Sequence, residues 1–326
     1  MHKRIICLAL CAVLLALCGS AEAQQTVKVP RIGFLDSSTA SGSAVLVDAF
    51  RQELSKLGWI EGKNIAIEYR FAEQKNARLP ELAADLVRLL KVDLIVVTDT
   101  PSVLAAKKAT TSIPIVMTNP GDPVGAGLVA SLARPEGNIT GLSGLAVELN
   151  TKRLEILKDA VPKLARVGLL RSSAASVQLK DLRAAALALK LKLEEIDTQP
   201  DPKGLESAFQ TAKQKQVGAI MTNATRPFFA ERKRIVELAV KYRLPAIYFQ
   251  KEFVDEGGLM SYGADYDNLY RRAAVYVDKI LKGAKPADLP VQQATKFEFV
   301  INLKAAKQIG LTIPPNVLAR ADRVIK

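Results

Sequence analysis

Short apolar runs that alternate with longer amphipathic segments are the feature that most restricts the fold of this 326-residue chain. Residues 94–97 are apolar at every position, which is typical of a strand buried on both faces of a parallel sheet. A predicted strand at 31–35 is followed by apolar residues at helical spacing, and Gly58 ends that helix. Regular alternation of strand and helix predicts an α/β protein whose parallel sheets are flanked by helices.

The alternation runs through the chain twice, which indicates two lobes of similar construction. The first series predicts strands at 31–35, 65–71, 94–97 and 113–117. The second series predicts strands at 167–170, 191–197, 219–221 and 246–249, with helices at 175–190, 203–215 and 228–242. A helix at 267–282 and a strand at 296–303 follow the second series, so the chain is expected to cross between the lobes again.

The expected division places both lobes after a leader at residues 1–23. The predicted segments are 28–144 with 262–287 for lobe 1, and 145–258 with 288–326 for lobe 2. The expected crossings lie near 141–146, 258–263 and 286–292.

The leader has the pattern of a secretion signal. Lys3 and Arg4 precede an uncharged apolar run of 13 residues, and Ala21-Glu22-Ala23 is a small-x-small cleavage site. A transmembrane helix needs about 20 apolar residues, so this run is too short to be one. We expect a mature chain that begins at Gln24 and is periplasmic. The alternative is a lipid anchor at Cys18, which is disfavoured because Leu17 occupies a position where small residues are usual.

All histidine and cysteine in the chain lies within this leader, at His2, Cys7, Cys11 and Cys18. The remainder therefore lacks the commonest catalytic base, the thiol nucleophile and the usual zinc ligands, and we expect no metal, no cofactor and no enzymatic activity. A hydrolase or lyase built on Asp, Glu, Lys or Tyr is the alternative, but no pair of acids stands out. The formal net charge of +13 is spread over predicted helix surfaces without a recognition motif, so we expect no nucleic-acid partner.

Short polar side chains follow the predicted strands at the edge where open parallel sheets bind ligands. Individually such residues are ordinary helix N-caps, so the prediction depends on the whole set facing one cleft. Hydroxyl, amide and carboxylate groups beside helix starts suit a small polar ligand with an anionic end, and tyrosines suit a cleft wall. Arg226 is compatible with a bidentate contact to a ligand carboxylate or with a surface salt bridge. The predicted ligand-binding residues are Asp36, Ser37, Thr98, Asp99, Thr100, Asp122, Ser173, Asn223, Tyr248 and Tyr262.

Six segments together carry a resemblance to a known family. They are KLGWIEGKNI (56–65), GDPVGAGLVASLARP (121–135), GNITGLS (137–143), KRLEILK (152–158), GGLMSYG (257–263) and KFEFVINLK (296–304). These segments resemble a family of ABC-transporter substrate-binding proteins that includes tryptophan-type binding proteins of Gram-positive bacteria. The resemblance implies a type I periplasmic-binding fold, in which two Rossmann-like lobes are joined by three crossovers and the ligand lies in the cleft between them.

The resemblance also implies a function and partners. We expect a monomeric solute receptor that captures an amino acid or related carboxylate and docks on an ABC permease, which works with its ATPase. Hinge closure is the usual motion of this architecture. An alternative is a periplasmic sensory receptor that presents the same cleft to a signalling partner.

Overall fold

The computed structural model describes residues 28–172 and 179–326. The predicted leader, its cleavage site, Cys18 and the predicted ligand residue Ser173 lie outside the described residues. Across the described ranges, no helix is both long and apolar enough to cross a membrane.

Lobe 1 is built on a six-stranded parallel sheet. Its strands are β1 (Arg31–Asp36), β2 (Ala66–Phe71), β3 (Leu94–Val97), β4 (Ile115–Met117), β5 (Ile139–Ser143) and β11 (Gln292–Gln293), in the spatial order β11-β5-β4-β3-β1-β2. All four residues of β3 are buried, because helices cover both faces of the sheet. Those helices are α1 (Ala40–Lys56), α2 (Leu79–Ala84, which continues as a π turn over Asp85–Leu89), α3 (Thr100–Ala109) and α10 (Tyr266–Leu281).

Lobe 2 is built on a seven-stranded mixed sheet. Its strands are β6 (Arg166–Arg171), β7 (Lys192–Asp197), β8 (Ala219–Thr222), β9 (Ala246–Tyr248), β10 (Met260–Ala264), β12 (Phe297–Asn302) and β13 (Arg323–Ile325), in the order β13-β12-β10-β9-β8-β6-β7. The pairing of β10 with β12 is antiparallel. Its helices are α4 (Ala146–Ala160), α5 (Leu179–Ala188), α6 (Pro202–Gln214), α7 (Arg226–Ala230), α8 (Arg232–Lys241), α9 (Glu252–Asp255), α11 (Leu303–Ile309) and α12 (Pro315–Leu318).

The predicted α/β architecture of two lobes and three crossovers is confirmed. The chain passes between the sheets after β5, after β10 and after β11. Helix α10 packs against α1 of lobe 1, and Trp59 Nε1 donates to the Asp278 carboxylate over 2.9 Å.

Two segment limits differ from those expected. Residues 262–264 belong to β10 in lobe 2, and β11 belongs to lobe 1. The reason for the second difference is that β11 consists of two exposed glutamines, which carry no apolar pattern. One helix expected at 228–242 is two helices, because the backbone of Glu231 (φ −91°, ψ 14°) leaves the helical region between α7 and α8.

The first crossover depends on a glycine. Gly141 has a φ of +126°, and a Cβ built on it would lie 2.3 Å from the carbonyl oxygen of Met117. Because Gly141 pairs directly with Met117, only glycine allows β5 to approach β4 this closely just before the chain leaves lobe 1.

Candidate functional site

A buried ion pair joins the two lobes. Asp36 ends β1 in lobe 1, and Arg226 begins α7 in lobe 2. Arg226 Nη2 lies 3.2 Å from Asp36 Oδ2 and donates to Ser43 Oγ over 2.9 Å. The Asp36 and Arg226 side chains are 0% and 3% exposed, so the interpretation of Arg226 as a surface salt bridge is wrong. The lobes are therefore closed on each other.

Two further contacts close the same side of the cleft. A Cβ built on Gly42 of α1 would lie 2.6 Å from the Cβ of Ala230, the last residue of α7. Gln74 Nε2 donates to Glu231 Oε1 over 3.2 Å. In this arrangement α1 and α7 touch with no room for an added methyl group.

The lobe 1 side of the cleft holds two carboxylates in a hydrogen-bond network. Asp36 accepts from the Ser38 backbone N–H over 2.9 Å and from Ser43 Oγ over 2.7 Å. Asp99 accepts from Ser37 Oγ and, over 3.0 Å, from the Ser102 backbone N–H, which it caps at the start of α3. Burial, and secondly the nearby Asp36 carboxylate, raise the pKa of Asp99 above its ordinary value, although the hydrogen bonds from Ser37 and Ser102 oppose this rise.

The charges of these groups are not balanced by the protein groups around them. Burial lowers the pKa of the Arg226 guanidinium, but the attraction of Asp36, Tyr270 and Asp99 and the hydrogen bond to Asp36 together raise it further, so Arg226 stays charged. Asp36 and Asp99 together carry two negative charges when ionised, whereas Arg226 supplies one positive charge. A ligand with a cationic group beside Asp99 would balance the site.

A second set of buried polar atoms has no hydrogen-bond partners among the described residues. Unpartnered buried polar atoms are rare in folded proteins, and a bound ligand that bonds to them would explain such a cluster. They lie at or just after the carboxyl ends of strands in both sheets, and on α10. The atoms are Ser38 Oγ, Thr98 Oγ1, Thr222 Oγ1, both amide atoms of Asn223, Thr225 Oγ1, Arg226 Nη1, both amide atoms of Gln250 and Tyr270 Oη.

Two tyrosines of α10, Tyr266 and Tyr270, supply buried phenol groups near Arg226. Arg226 Cζ lies 6.0 Å from the ring centroid of Tyr270 and 4.9 Å from that of Phe229. Burial raises the pKa of Tyr270 and of Tyr266, so both phenols remain protonated and can donate hydrogen bonds. Tyr270 is a site residue that the sequence reasoning missed. The available signal was its place on the helix predicted at 267–282, four residues after Tyr266, which begins the observed helix.

Five of the predicted ligand residues come together in this cleft. They are Asp36, Ser37, Thr98, Asp99 and Asn223, all at the carboxyl ends of β1, β3 and β8. Thr100, the first residue of α3, is half-buried beside them.

Three predicted residues lie elsewhere. Asp122 is exposed and accepts from the Gly125 backbone N–H over 2.8 Å in its own loop. The Tyr248 ring stacks on Phe253 at 4.7 Å inside lobe 2, since alternate residues of a strand face opposite sides of the sheet. Tyr262 lies in β10 and contacts Phe299 across the β10–β12 pair, at 6.2 Å between ring centroids.

The described part of the chain contains no group of three or more His, Cys, Asp or Glu side chains placed to hold a metal ion. Its site is a set of hydrogen-bonding and charged groups, which can bind and orient a solute.

Known proteins resemble this chain over most of its length. The profile of the family described as ABC transporter substrate binding protein matches residues 39–325. A tyrosine-binding protein of Clostridioides difficile (strain R20291) is 30% identical over 271 residues, which cover 80% of this chain and 75% of that protein.

Two solved structures of nearly equal identity to this chain differ in how well they match it. The ABC domain from Streptococcus pneumonia in complex with L-Trp is 27% identical, with a TM-score of 0.80 over 91% of this chain and 99% of its own. A ligand-free, open substrate binding protein from Clostridium difficile is 26% identical over 91% and 99% of the two chains, yet its TM-score is 0.63. At nearly equal identity, the closed lobes of the present structure thus match the L-Trp complex better. The chain belongs to the family of ABC transporter substrate-binding proteins, which are solute-binding proteins and not enzymes.

Proposed function

We propose that this chain captures an amino acid in the cleft between its lobes and presents it to an ABC permease in the inner membrane. The observation that carries the proposal is the buried group between the lobes, where two aspartates and one arginine lie among hydroxyls and amides without partners in the described chain. A zwitterion is the ligand class whose opposite charges fit this group.

The ammonium end of the ligand is expected at Asp99. This carboxylate has no cation of its own among the described residues, and its raised pKa reflects the cost of holding a buried negative charge beside Asp36. An ammonium group at hydrogen-bond distance lowers that cost. Hydroxyl and amide groups from both lobes, including Thr98, Thr222 and Asn223, then serve the remaining polar atoms of the ligand.

The amino acids to examine first are L-tyrosine and L-tryptophan, because relatives carry these names. The import role, the permease with its ATPase, a periplasmic location and a monomeric state follow from family membership as expectations. In this proposal, the lobes move as rigid bodies about the three crossovers and close when the ligand is bound.

A ligand screen with two readouts tests the proposal. Native mass spectrometry of the purified protein reports any retained ligand, and thermal unfolding is then measured with each standard amino acid. A ligand at about 100 times its dissociation constant adds about 2.7 kcal/mol to the free energy of unfolding. The expected result is a stabilisation by one or a few amino acids, confirmed by calorimetry. A retained molecule without an ammonium and a carboxylate, or no response to any amino acid, would contradict the proposal.

The transport role needs a separate measurement. Uptake of the radiolabelled amino acid by cells that lack the gene should fall and should return with the wild-type gene. Normal uptake together with a lost transcriptional response to the amino acid would instead favour the sensory alternative.

A further inference from the structure

The guanidinium of Arg226 uses only part of its hydrogen-bonding capacity within the protein. Nε and Nη2 face Asp36, at 3.5 Å from Oδ1 and 3.2 Å from Oδ2, and Nη2 also donates to Ser43 Oγ. Nη1 is buried and has no hydrogen-bond partner in residues 28–172 and 179–326. A buried guanidinium N–H without a partner is costly, and the cost disappears when an acceptor binds there.

The position of this free nitrogen is restricted by its neighbours. The guanidinium carbon lies 4.9 Å from the Phe229 ring centroid and 6.0 Å from the Tyr270 ring centroid, so the group is held beside two aromatic rings. Ser43 contacts both Asp36 and Arg226, which ties the head group to α1 of the other lobe. The hydroxyls of Thr225, which precedes Arg226, and of Tyr270, whose ring lies 6.0 Å from the guanidinium carbon, are likewise buried without partners in the described chain.

From this geometry we infer that Arg226 binds the carboxylate of the ligand through Nη1 while its Nε and Nη2 hold Asp36 of the opposite lobe. Arg226 is then a specificity residue, because a ligand without a carboxylate leaves Nη1 unpartnered. It also positions the lobes, because the group that binds the anion is the group that bridges the cleft. The inference rests on the proposed function, in which the ligand is an amino acid.

The inference predicts a particular pattern of ligand discrimination. L-tyrosine, L-tyrosinamide and tyramine all carry the ammonium group at about pH 6.5, but only L-tyrosine carries a carboxylate. A hydrogen bond to a charged partner is worth enough for the wild type to prefer L-tyrosine by about 10- to 100-fold. If the screen identifies another amino acid, its own amide and amine replace these probes.

The decisive variant is Arg226→Gln, with dissociation constants measured by calorimetry for all three probes. We expect the preference for the carboxylate to fall to about threefold or less, because the charged donor is gone. The matched control is Arg232→Gln. Arg232 lies over the same Phe229 ring at 4.9 Å, but its carboxylate partner is Glu256 of lobe 2, at 3.3 Å. This control should keep the wild-type preference. Arg226→Lys should give an intermediate preference, because one ammonium cannot face Asp36 and the ligand in the same geometry.

A second variant, Asp36→Asn, separates bridging from recognition. The substitution leaves Arg226 able to bind the ligand carboxylate, but it removes the charge through which Arg226 pairs with lobe 1. Affinity for all three probes should fall by a similar factor, and small-angle scattering should show a larger radius of gyration for the saturated variant than for the saturated wild type.

The outcomes are distinguishable. A full carboxylate preference in Arg226→Gln overturns the inference and leaves the proposed function intact. Unchanged closure in Asp36→Asn overturns the bridging role. No binding of any amino acid by the wild type overturns the proposed function itself. Ligand-free thermal unfolding of each variant shows that a loss of affinity is not a loss of folding.

Discussion

The two sides of the cleft differ in how their polar groups are satisfied. On the lobe 1 side, Asp36 and Asp99 each accept hydrogen bonds from serine hydroxyls or backbone N–H groups of the same lobe. On the lobe 2 side, the amides of Asn223 and Gln250 have no partner among the described residues. The carboxylates of lobe 1 are therefore oriented before the ligand arrives. The unpartnered hydroxyls of Ser38, Thr98 and Tyr270 in lobe 1 and the amides of lobe 2 are satisfied only by a bound molecule.

The charges of the two sides also differ, and the difference favours closure. Lobe 1 contributes two carboxylates, and lobe 2 contributes Arg226. Closing the cleft pairs Asp36 with Arg226, but it also removes both charges from water, and that desolvation offsets much of the attraction. A ligand that adds contacts only in the closed form can then shift the equilibrium between open and closed lobes.

Asp99→Asn tests the anionic character of the lobe 1 side, and we expect the largest effect there. Asparagine keeps the N-cap of α3 but removes the charge that faces the ammonium group. Affinity for the amino acid should fall by at least about 100-fold in calorimetry, because a buried charge pair loses one partner. An affinity within threefold of the wild type would show that the ammonium binds elsewhere.

The same variant has an opposite effect on the ligand-free protein. The pKa of Asp99 is raised in the folded state, so folding favours the protonated form and stability falls as pH rises through the range between the ordinary and the raised value. Asp99→Asn should therefore raise the melting temperature above that pH range and leave it unchanged below it. Thermal unfolding of both proteins without ligand, from about pH 4 to pH 8, shows whether the variant's melting temperature rises relative to the wild type as predicted.

Glu252→Gln compares the cleft carboxylates, which accept hydrogen bonds from serine side chains, with a buried carboxylate of lobe 2 whose pKa is raised more by burial than its own backbone N–H lowers it. Glu252 of α9 in lobe 2 is 8% exposed, and burial raises its pKa to about 7. Lys251 lowers this pKa, whereas Asp267 and Asp255 raise it, so the nearby charges do not remove the penalty. Folding then binds a proton, and stability should decrease as pH rises from about 4.5 to 7. Glu252→Gln should add about 3 kcal/mol to the free energy of unfolding at pH 8 and about 1 kcal/mol or less at pH 5. Equal gains at both pH values in denaturant titrations would contradict this explanation.

Gly42→Ala tests whether α1 of lobe 1 and α7 of lobe 2 must come into contact for the ligand to bind tightly. Its added methyl group would lie 2.6 Å from Ala230 Cβ in the closed form, whereas the open form separates the two helices. We expect about tenfold weaker binding of any ligand, measured by calorimetry. A smaller loss of ligand-free stability should accompany it, because the added methyl group would also lie 2.9 Å from Oγ1 of Thr39, the N-cap of α1. The double variant Gly42→Ala with Ala230→Gly removes the opposing methyl group and should recover most of the affinity. A double variant as weak as Gly42→Ala would place the effect within α1 rather than between the lobes.

The sequence predicts the lobe 1 side of the site better than the lobe 2 side, for a physical reason. The parallel-strand rule identifies the carboxyl edge of each sheet, and the structure places Thr98 and Asp99 at that edge in lobe 1 and Asn223 at that edge in lobe 2. The rule does not say which face a side chain takes, so Tyr248 was placed in the cleft although its ring packs against Phe253 in the core. The pairing of Arg226 with Asp36 depends on how the two lobes close. No local sequence pattern indicates which residues of the two lobes then come into contact.

In the fold too, elements with a local sequence pattern are predictable, whereas elements that depend on pairing with distant residues are not. Buried apolar strands such as β3 are recognisable from a few residues, so both lobes were predicted. Strand β11 was not, because Gln292 and Gln293 form a strand only through pairing with Leu142 and Ser143 of β5. Strand β10 has little pattern of its own and is defined by neighbours on both sides.

Substitution of two equivalent threonines, one on each side of the cleft, is expected to have the smallest effect on affinity. Thr98 follows β3 in lobe 1 and Thr222 ends β8 in lobe 2; each is 0% exposed, and each hydroxyl lacks a partner in the described ranges. Replacing either by valine keeps the shape and removes one hydrogen bond to the ligand, so affinity should fall about threefold to tenfold in each case. The kinetics should differ, because a ligand that docks first on the organised lobe 1 meets Thr98 before closure and Thr222 only after it. Stopped-flow fluorescence should then show a slower association for Thr98→Val, with Thr222→Val affecting only dissociation. If both variants change only the dissociation rate, the ligand does not meet lobe 1 first, and the proposed order of binding is wrong.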